Sequence, residues 1–87
     1  MFVILVYDVG EKRVAKALKT ARKYLYWVQN SVLEGEMTEA SYRKLKEEMK
    51  KICVPTEDSF IFYVLRTEKY YNREILGLKK GGQEMFL

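Results

Sequence analysis

Histidine is absent from this chain, and there is a single cysteine, Cys53. Without histidine there is no imidazole acid–base catalysis and no histidine-ligated metal. With one cysteine there is no intramolecular disulfide and no thiolate zinc cluster. A bound metal would have to rest on oxygen ligands, which narrows the choice to hard ions such as magnesium, calcium or manganese. Long hydrophobic runs are also missing. The first apolar run spans only Phe2–Val6 and has no basic segment before it, too short for a membrane span or the apolar region of a signal peptide. The expected location is cytoplasmic, with no membrane partner. Proline is rare as well: Pro55 alone interrupts the middle of the chain.

What is present is the composition of one small globular domain. Hydrophobic residues make up 48% and charged residues 32% of 87 residues, with a net charge of +4. A chain this short buries a modest core, so cover from a second copy is expected. The positive balance favours an anionic partner without naming one.

Periodicity divides the chain into elements. Phe2–Asp8 is β-branched and aromatic, apolar on both faces, and reads as a central strand. Glu11–Leu25 switches to helical period, with Val14, Leu18, Ala21 and Leu25 on one face and Ala17 beside them. Lys12, Lys16, Lys19 and Lys23 fall on the opposite face, and Gly10 relaxes the turn into the helix. Tyr26–Glu36 is strand-like, and the polar Gln29-Asn30-Ser31 in its middle predicts a bend or a tight hairpin. Thr38–Cys53 is a second helix, with Thr38 as N-cap and Tyr42, Leu45, Met49 and Ile52 as its buried stripe. Ser59–Arg66 is another strand and Arg73–Leu78 a short last one. Residues 1–78 form the expected single domain and 79–87 a flexible tail. The order predicts an α+β, ferredoxin-like βαββαβ sandwich with an extra short C-terminal strand. Both helices then cover one sheet face, and the apolar second face predicts a homodimer.

Two features bear on chemistry. Asp8 ends the central strand just before a helix. On position alone it reads as a turn or cap residue, or as a metal ligand. A lone carboxylate is sparse equipment for a nuclease, but two copies meeting at a dimer axis could share one ion. The first helix carries Lys12, Arg13, Lys16, Lys19, Arg22 and Lys23 against the single acid Glu11. A one-sign stripe is repulsive at i,i+4 and suits either a solvated face or a nucleic-acid backbone. Lys12, Arg13, Lys16, Lys19 and Lys23 are the candidate nucleic-acid contacts, and Arg13 is also placed to steady charge developing on a phosphate. The aromatics offer stacking surfaces, but Trp27 reads as core or interface. Cys53 reads as a small buried hydrophobe, and Ser31 has no activating neighbour in sequence.

Three stretches taken together resemble the CRISPR-associated family "Cas two". They are Tyr7-Asp8-Val9 after an apolar strand, the basic helix with Arg13, and Val28-Gln29-Asn30-Ser31-Val32-Leu33-Glu34-Gly35-Glu36. Glu57–Leu65 also fits, and the likeness runs over residues 2–78. Leu33 stands where phenylalanine is usual, and Lys23-Tyr24-Leu25 where the helix often ends in glycine. The resemblance implies a ferredoxin-like homodimer that bridges dimers of the CRISPR integrase and holds spacer-precursor DNA in antiviral adaptation. It also implies a magnesium-dependent (or manganese-dependent) endonuclease acting on single-stranded RNA or double-stranded DNA. The family's metal-binding, catalytic aspartate falls on Asp8. Nuclease activity is considered dispensable within the integration complex, so the resemblance leaves open whether this chain is an enzyme. The alternatives are a purely structural DNA-binding bridge and a stand-alone, toxin-like metal-dependent ribonuclease of the same fold.

Overall fold

In the computed structural model, residues 1–67, 69, 72 and 74–77 are described. Six elements follow one another: β1 (Phe2–Asp8), α1 (Glu11–Ala21), β2 (Tyr26–Gln29), β3 (Val32–Glu36), α2 (Glu39–Ile52) and β4 (Ser59–Leu65). The sheet order is β2-β3-β1-β4, with β1 antiparallel to both β3 and β4. Because β3 is also antiparallel to β2, strands β1 and β2 run the same way with β3 between them. This is the split βαβ arrangement that the element order predicts.

Each element forms for a local reason. The hairpin between β2 and β3 turns on Asn30-Ser31. Asn30 takes a positive φ of 39°, which asparagine tolerates better than most residues. The Trp27 indole N–H donates to the Asn30 carbonyl at 2.9 Å and closes the turn. An irregularity between Trp27 and Gln29 sets Val28 out of register, so the polar middle of this segment is a bulge followed by a turn. Helix α2 begins where expected: the Thr38 hydroxyl accepts from the Ser41 backbone N–H at 3.1 Å. Lys50 and Lys51 lie in its last turn, where cations favour the helix dipole.

The core lies between the helices and the odd-numbered side of β1. Val3, Leu5, Tyr7, Ala17, Ala21, Leu25, Leu33, Met37, Leu45 and Met49 form one buried cluster. Helix α1 ends at Ala21, four residues before the expected Leu25. The chain leaves it through successive tight turns: Lys23 N–H bonds the Thr20 carbonyl, and Tyr24 and Leu25 both bond the Ala21 carbonyl. Leu25 reaches the core from that turn, which is why its burial mimics a helical position in sequence. The apolar stripe of α1 is also rotated from expectation. Ala17 and Ala21 are fully covered, whereas Val14 is 39% exposed. The two small alanines are the residues of α1 that pack fully into the core, and Val14 lies at the margin of the buried face.

Among the described residues the opposite sheet face is left largely open, although Phe2 at its start is buried. Its register brings Ile4 and Val6 of β1 beside Tyr63 and Ile61 of β4, and Val32 of β3 beside Val6. Tyr63 is 54%, Ile61 45% and Tyr26 59% exposed. Of the expected last strand, Arg73 and Leu78 lie outside the described residues, as does the tail 79–87. Residues 74–77 are not in strand conformation.

Core packing sets the first prediction. Leu45→Ala should destabilise by about 2–5 kcal/mol, since it removes a fully buried side chain. Val14→Ala should change stability by less than about 0.5 kcal/mol. Urea unfolding at fixed protein concentration reads both.

Candidate nucleic-acid interface and metal-ligand carboxylate

Asp8 is the last residue of β1 and pairs with Ser59, the first residue of β4. It has the parity of Ile4 and Val6, so its exposed side chain belongs to the uncovered face, at that face's edge. Tyr7 turns the other way. Its ring is buried against Phe60, with centroids 5.8 Å apart, and burial pushes its phenol pKa up. The Tyr-Asp pair thus divides its labour: one side chain anchors the strand end in the core, and the next presents a carboxylate to solvent.

Among the described residues no group of three acidic, cysteine or histidine side chains is close enough to hold a metal. Asp8 supplies the right chemistry for a hard ion, and magnesium commonly uses one or two carboxylates with water and substrate phosphates. The donor set of one chain therefore fits such an ion as half of a shared site. On the same sheet face the register brings only the Ser59 hydroxyl alongside.

The predicted cationic residues separate into two classes. Lys12, Lys16 and Lys19 are exposed on α1. Lys16 and Lys19 line a shallow hollow with Ala15, Thr20 and Lys23. Lys23 is less available. Its ammonium pairs with one oxygen of Glu48 on α2, while the Tyr24 hydroxyl donates to the other. The bond to Lys23, then that to Tyr24, holds the Glu48 carboxyl below its usual value, and the same partner raises Lys23. Arg22 lies over the Trp27 ring, 5.7 Å from its centroid.

Arg13 is the largest departure from expectation. Its Nε donates to Asp58 at 2.6 Å, and its Nη2 donates to Asp58 at 2.8 Å and to Glu57 at 2.9 Å. Asp58 is fully buried and also accepts from the backbone N–H groups of Gly10 and Val54, both at 2.8 Å. The Arg13 hydrogen bonds, followed by those backbone donors, hold the Asp58 carboxyl well below the usual carboxylate range. The guanidinium is raised correspondingly. Gly10 has an ordinary φ of −59°, so it is not glycine for the sake of the turn. A Cβ there would collide with the Arg13 guanidinium.

Asp58 was invisible to periodicity, because it lies in a loop and belongs to no stripe. The signal that was present is an acid directly before a strand, in Glu57-Asp58-Ser59. Its partner becomes apparent only when β4 is placed beside β1.

The sequence and the fold match known proteins. The family model described as CRISPR associated protein Cas2 matches residues 1–73. The chain belongs to the Cas2 family. It is 56% identical over 87 residues to a CRISPR-associated endoribonuclease Cas2 of Dictyoglomus turgidum, covering 100% of both chains. It is 59% identical over 81 residues to one of Thermotoga maritima, covering 93% of each. Among solved structures, Cas2 of Streptococcus pyogenes at pH 6.5 superposes with a TM-score of 0.79 at 32% identity, covering 88% of this chain and 100% of that one. A second crystal structure of Cas2 gives a TM-score of 0.85 at 37% identity, covering 100% and 98%. Among the described residues no helix is long and apolar enough to cross a membrane.

The depressed Asp58 sets a pH prediction. A carboxylate whose folded pKa lies below its unfolded value of about 3.9 adds stability above that pH and loses it as pH falls through the folded value. The wild-type melting temperature should therefore fall on acidification below about pH 4. Asp58→Asn should melt lower than wild type at pH 7, and the gap between the two should narrow as pH falls below about 4. Thermal melts across pH 2–7 measure it.

Proposed function

We propose that this Cas2 chain acts in CRISPR adaptation as a homodimer joined through its uncovered sheet face. In this reading it bridges integrase dimers, binds the DNA destined to become a spacer, and has a magnesium-dependent endonuclease activity centred on Asp8. The observation that carries this is the placement of Asp8 at the end of an apolar sheet face that the described residues leave largely open. Packing that face on a second copy removes Ile4, Val6, Ile61 and Tyr63 from water and brings two strand tips to one side of the assembly. The relatives' name, endoribonuclease, supports hydrolysis of a phosphodiester.

Each residue then has a role suited to its chemistry. The two Asp8 carboxylates hold magnesium, or manganese in its place, as oxygen ligands. The ion, when bound, supplies a Lewis acid toward a phosphate oxygen and a more acidic water. Lys12, Lys16 and Lys19 draw and orient the backbone of the nucleic acid without reading its sequence. The exposed Ile75 and Leu76 support a docking role for the segment after β4.

The test combines assembly and activity. Ile61→Glu with Tyr63→Glu should shift sedimentation to a monomer. Asp8→Asn should lower magnesium-dependent cleavage of RNA or duplex DNA by at least about 100-fold, by analogy with the loss of a principal catalytic group. Equal residual cleavage by wild type and Asp8→Asn would remove the catalytic part of the reading and leave a binding bridge.

A bridge without catalysis has its own supporting observation, the exposed lysine row on α1. Lys12→Gln, Lys16→Gln and Lys19→Gln together should flatten the salt dependence of duplex binding, by about 0.9 in log–log slope for each phosphate no longer neutralised. An unchanged slope would place the DNA on another surface.

A further inference from the structure

The nuclease reading needs a lone carboxylate per chain to be held accurately, and Asp8 sits on the last rung of a strand pair. Strand ends fray, whereas a metal ligand has to be fixed to within about 0.5 Å by the groups that support it. The support visible around Asp8 is the buried carboxylate of Asp58. It accepts four hydrogen bonds from two separate segments: the Gly10 N–H at the N-cap of α1 with two N–H groups of Arg13 in its first turn, and the Val54 N–H after α2. Asp8 lies two residues before Gly10, and its ladder partner Ser59 directly follows Asp58. Both flanks of Asp8 are therefore tied to one immobile anion.

Arg13 fits this task better than phosphate contact. Nε and Nη2 are engaged in a planar, two-pronged grip on Asp58, and the side chain is only 21% exposed. A lysine would keep the charge without the fork. Gly10 keeps the space the guanidinium occupies.

We propose that Asp58 and Arg13 form a positioning pair that fixes the Asp8 carboxylate for ion binding, and that Arg13 does not contact nucleic acid. The proposal rests on the metal-dependent reading above. Neither residue touches the ion or the substrate; both act through the backbone of residues 8–10.

The experiment uses the full-length homodimer and manganese alone as the probe, with affinity read from the free-ion signal in electron paramagnetic resonance. All variants are measured at a temperature where circular dichroism shows them folded. Asp58→Asn, Arg13→Lys and Gly10→Ala should each weaken manganese binding by about tenfold or more, the usual effect of losing support behind a ligand. The double variant Asp58→Asn/Arg13→Lys should be no weaker than the worse single one, because both remove the same interaction. Two controls separate positioning from general loss of stability. Leu45→Ala lowers the melting temperature from the far side of the core and should keep wild-type affinity. Glu57→Gln removes the exposed partner of Arg13 and should change affinity less than twofold. Arg13→Gln should leave the salt slope of duplex binding unchanged.

Wild-type affinity in folded Asp58→Asn and Arg13→Lys would overturn the positioning role while leaving Asp8 as a ligand. A fall of about one unit in the salt slope of Arg13→Gln would overturn the claim that Arg13 is withheld from DNA. If wild type bound manganese no better than Asp8→Asn, the metal reading itself would fail, and the positioning role with it.

Discussion

Two helices cover one face of a four-stranded sheet, and the central strand β1 is apolar on both. Val3, Leu5 and Tyr7 are buried in the core under the helices, while Ile4 and Val6 face the side that the described residues leave partly open. The proposed function of Asp8 rests on that imbalance. The strand that must be buried twice also carries Asp8 at its end, on the uncovered side. In the proposed dimer, burying the apolar rungs against a second copy would govern where the carboxylates go. The force that would assemble it is non-directional and proportional to area, but the sheet register would convert it into a position for one particular side chain.

The parts of this design that were legible in sequence are those written in period and punctuation. Phe2–Val6 announced a central strand, apolar on both faces. Thr38 announced the start of α2, and Asn30-Ser31 the hairpin. The end of α1 was not legible, because Leu25 keeps the spacing of a helical stripe although it is delivered by a turn. Val14 was misplaced for a related reason: the periodic pattern identifies a face, but the face of α1 that is fully buried centres on Ala17 and Ala21 and leaves Val14 at its margin. Asp58 was beyond reach because its meaning depends on which loop lies beside which turn. Asp8 sat between these cases. Its place at a strand tip was readable, but its exposure on the open face required the register of β1 with β4.

The charge of α1 needed the same sorting. In sequence its cations form one stripe and look equivalent. In the fold, Arg13 is bound to Asp58 and Glu57, Lys23 is paired with Glu48, and Arg22 rests on Trp27. Acids brought from α2 and from the loop before β4 neutralise the two ends of the helix, and Lys12, Lys16 and Lys19 are left facing solvent. This pattern relieves most of the repulsion within the helix and concentrates the remaining positive field on its outer face. The neutralised cations fasten α1 to the rest of the chain, so the exposed ones are carried on a fixed platform.

Symmetry explains why that fastening matters most at Asp8. A site completed by two copies related by a two-fold axis has no other residue in either chain to absorb an error. When each carboxylate moves away from the axis by a given amount, the gap between the two widens by twice that amount. An enzyme with several ligands from one chain can tolerate a loose member, whereas a shared pair cannot. A small protein has few ways to stiffen a strand end: it has no disulfide available and little core to spare. In the proposed role, one buried anion that gathers four donors from two segments stiffens it with four residues, Asp58, Arg13, Gly10 and Val54. The basic residue that sequence alone assigns to the substrate is then better understood as part of the frame that holds the acid.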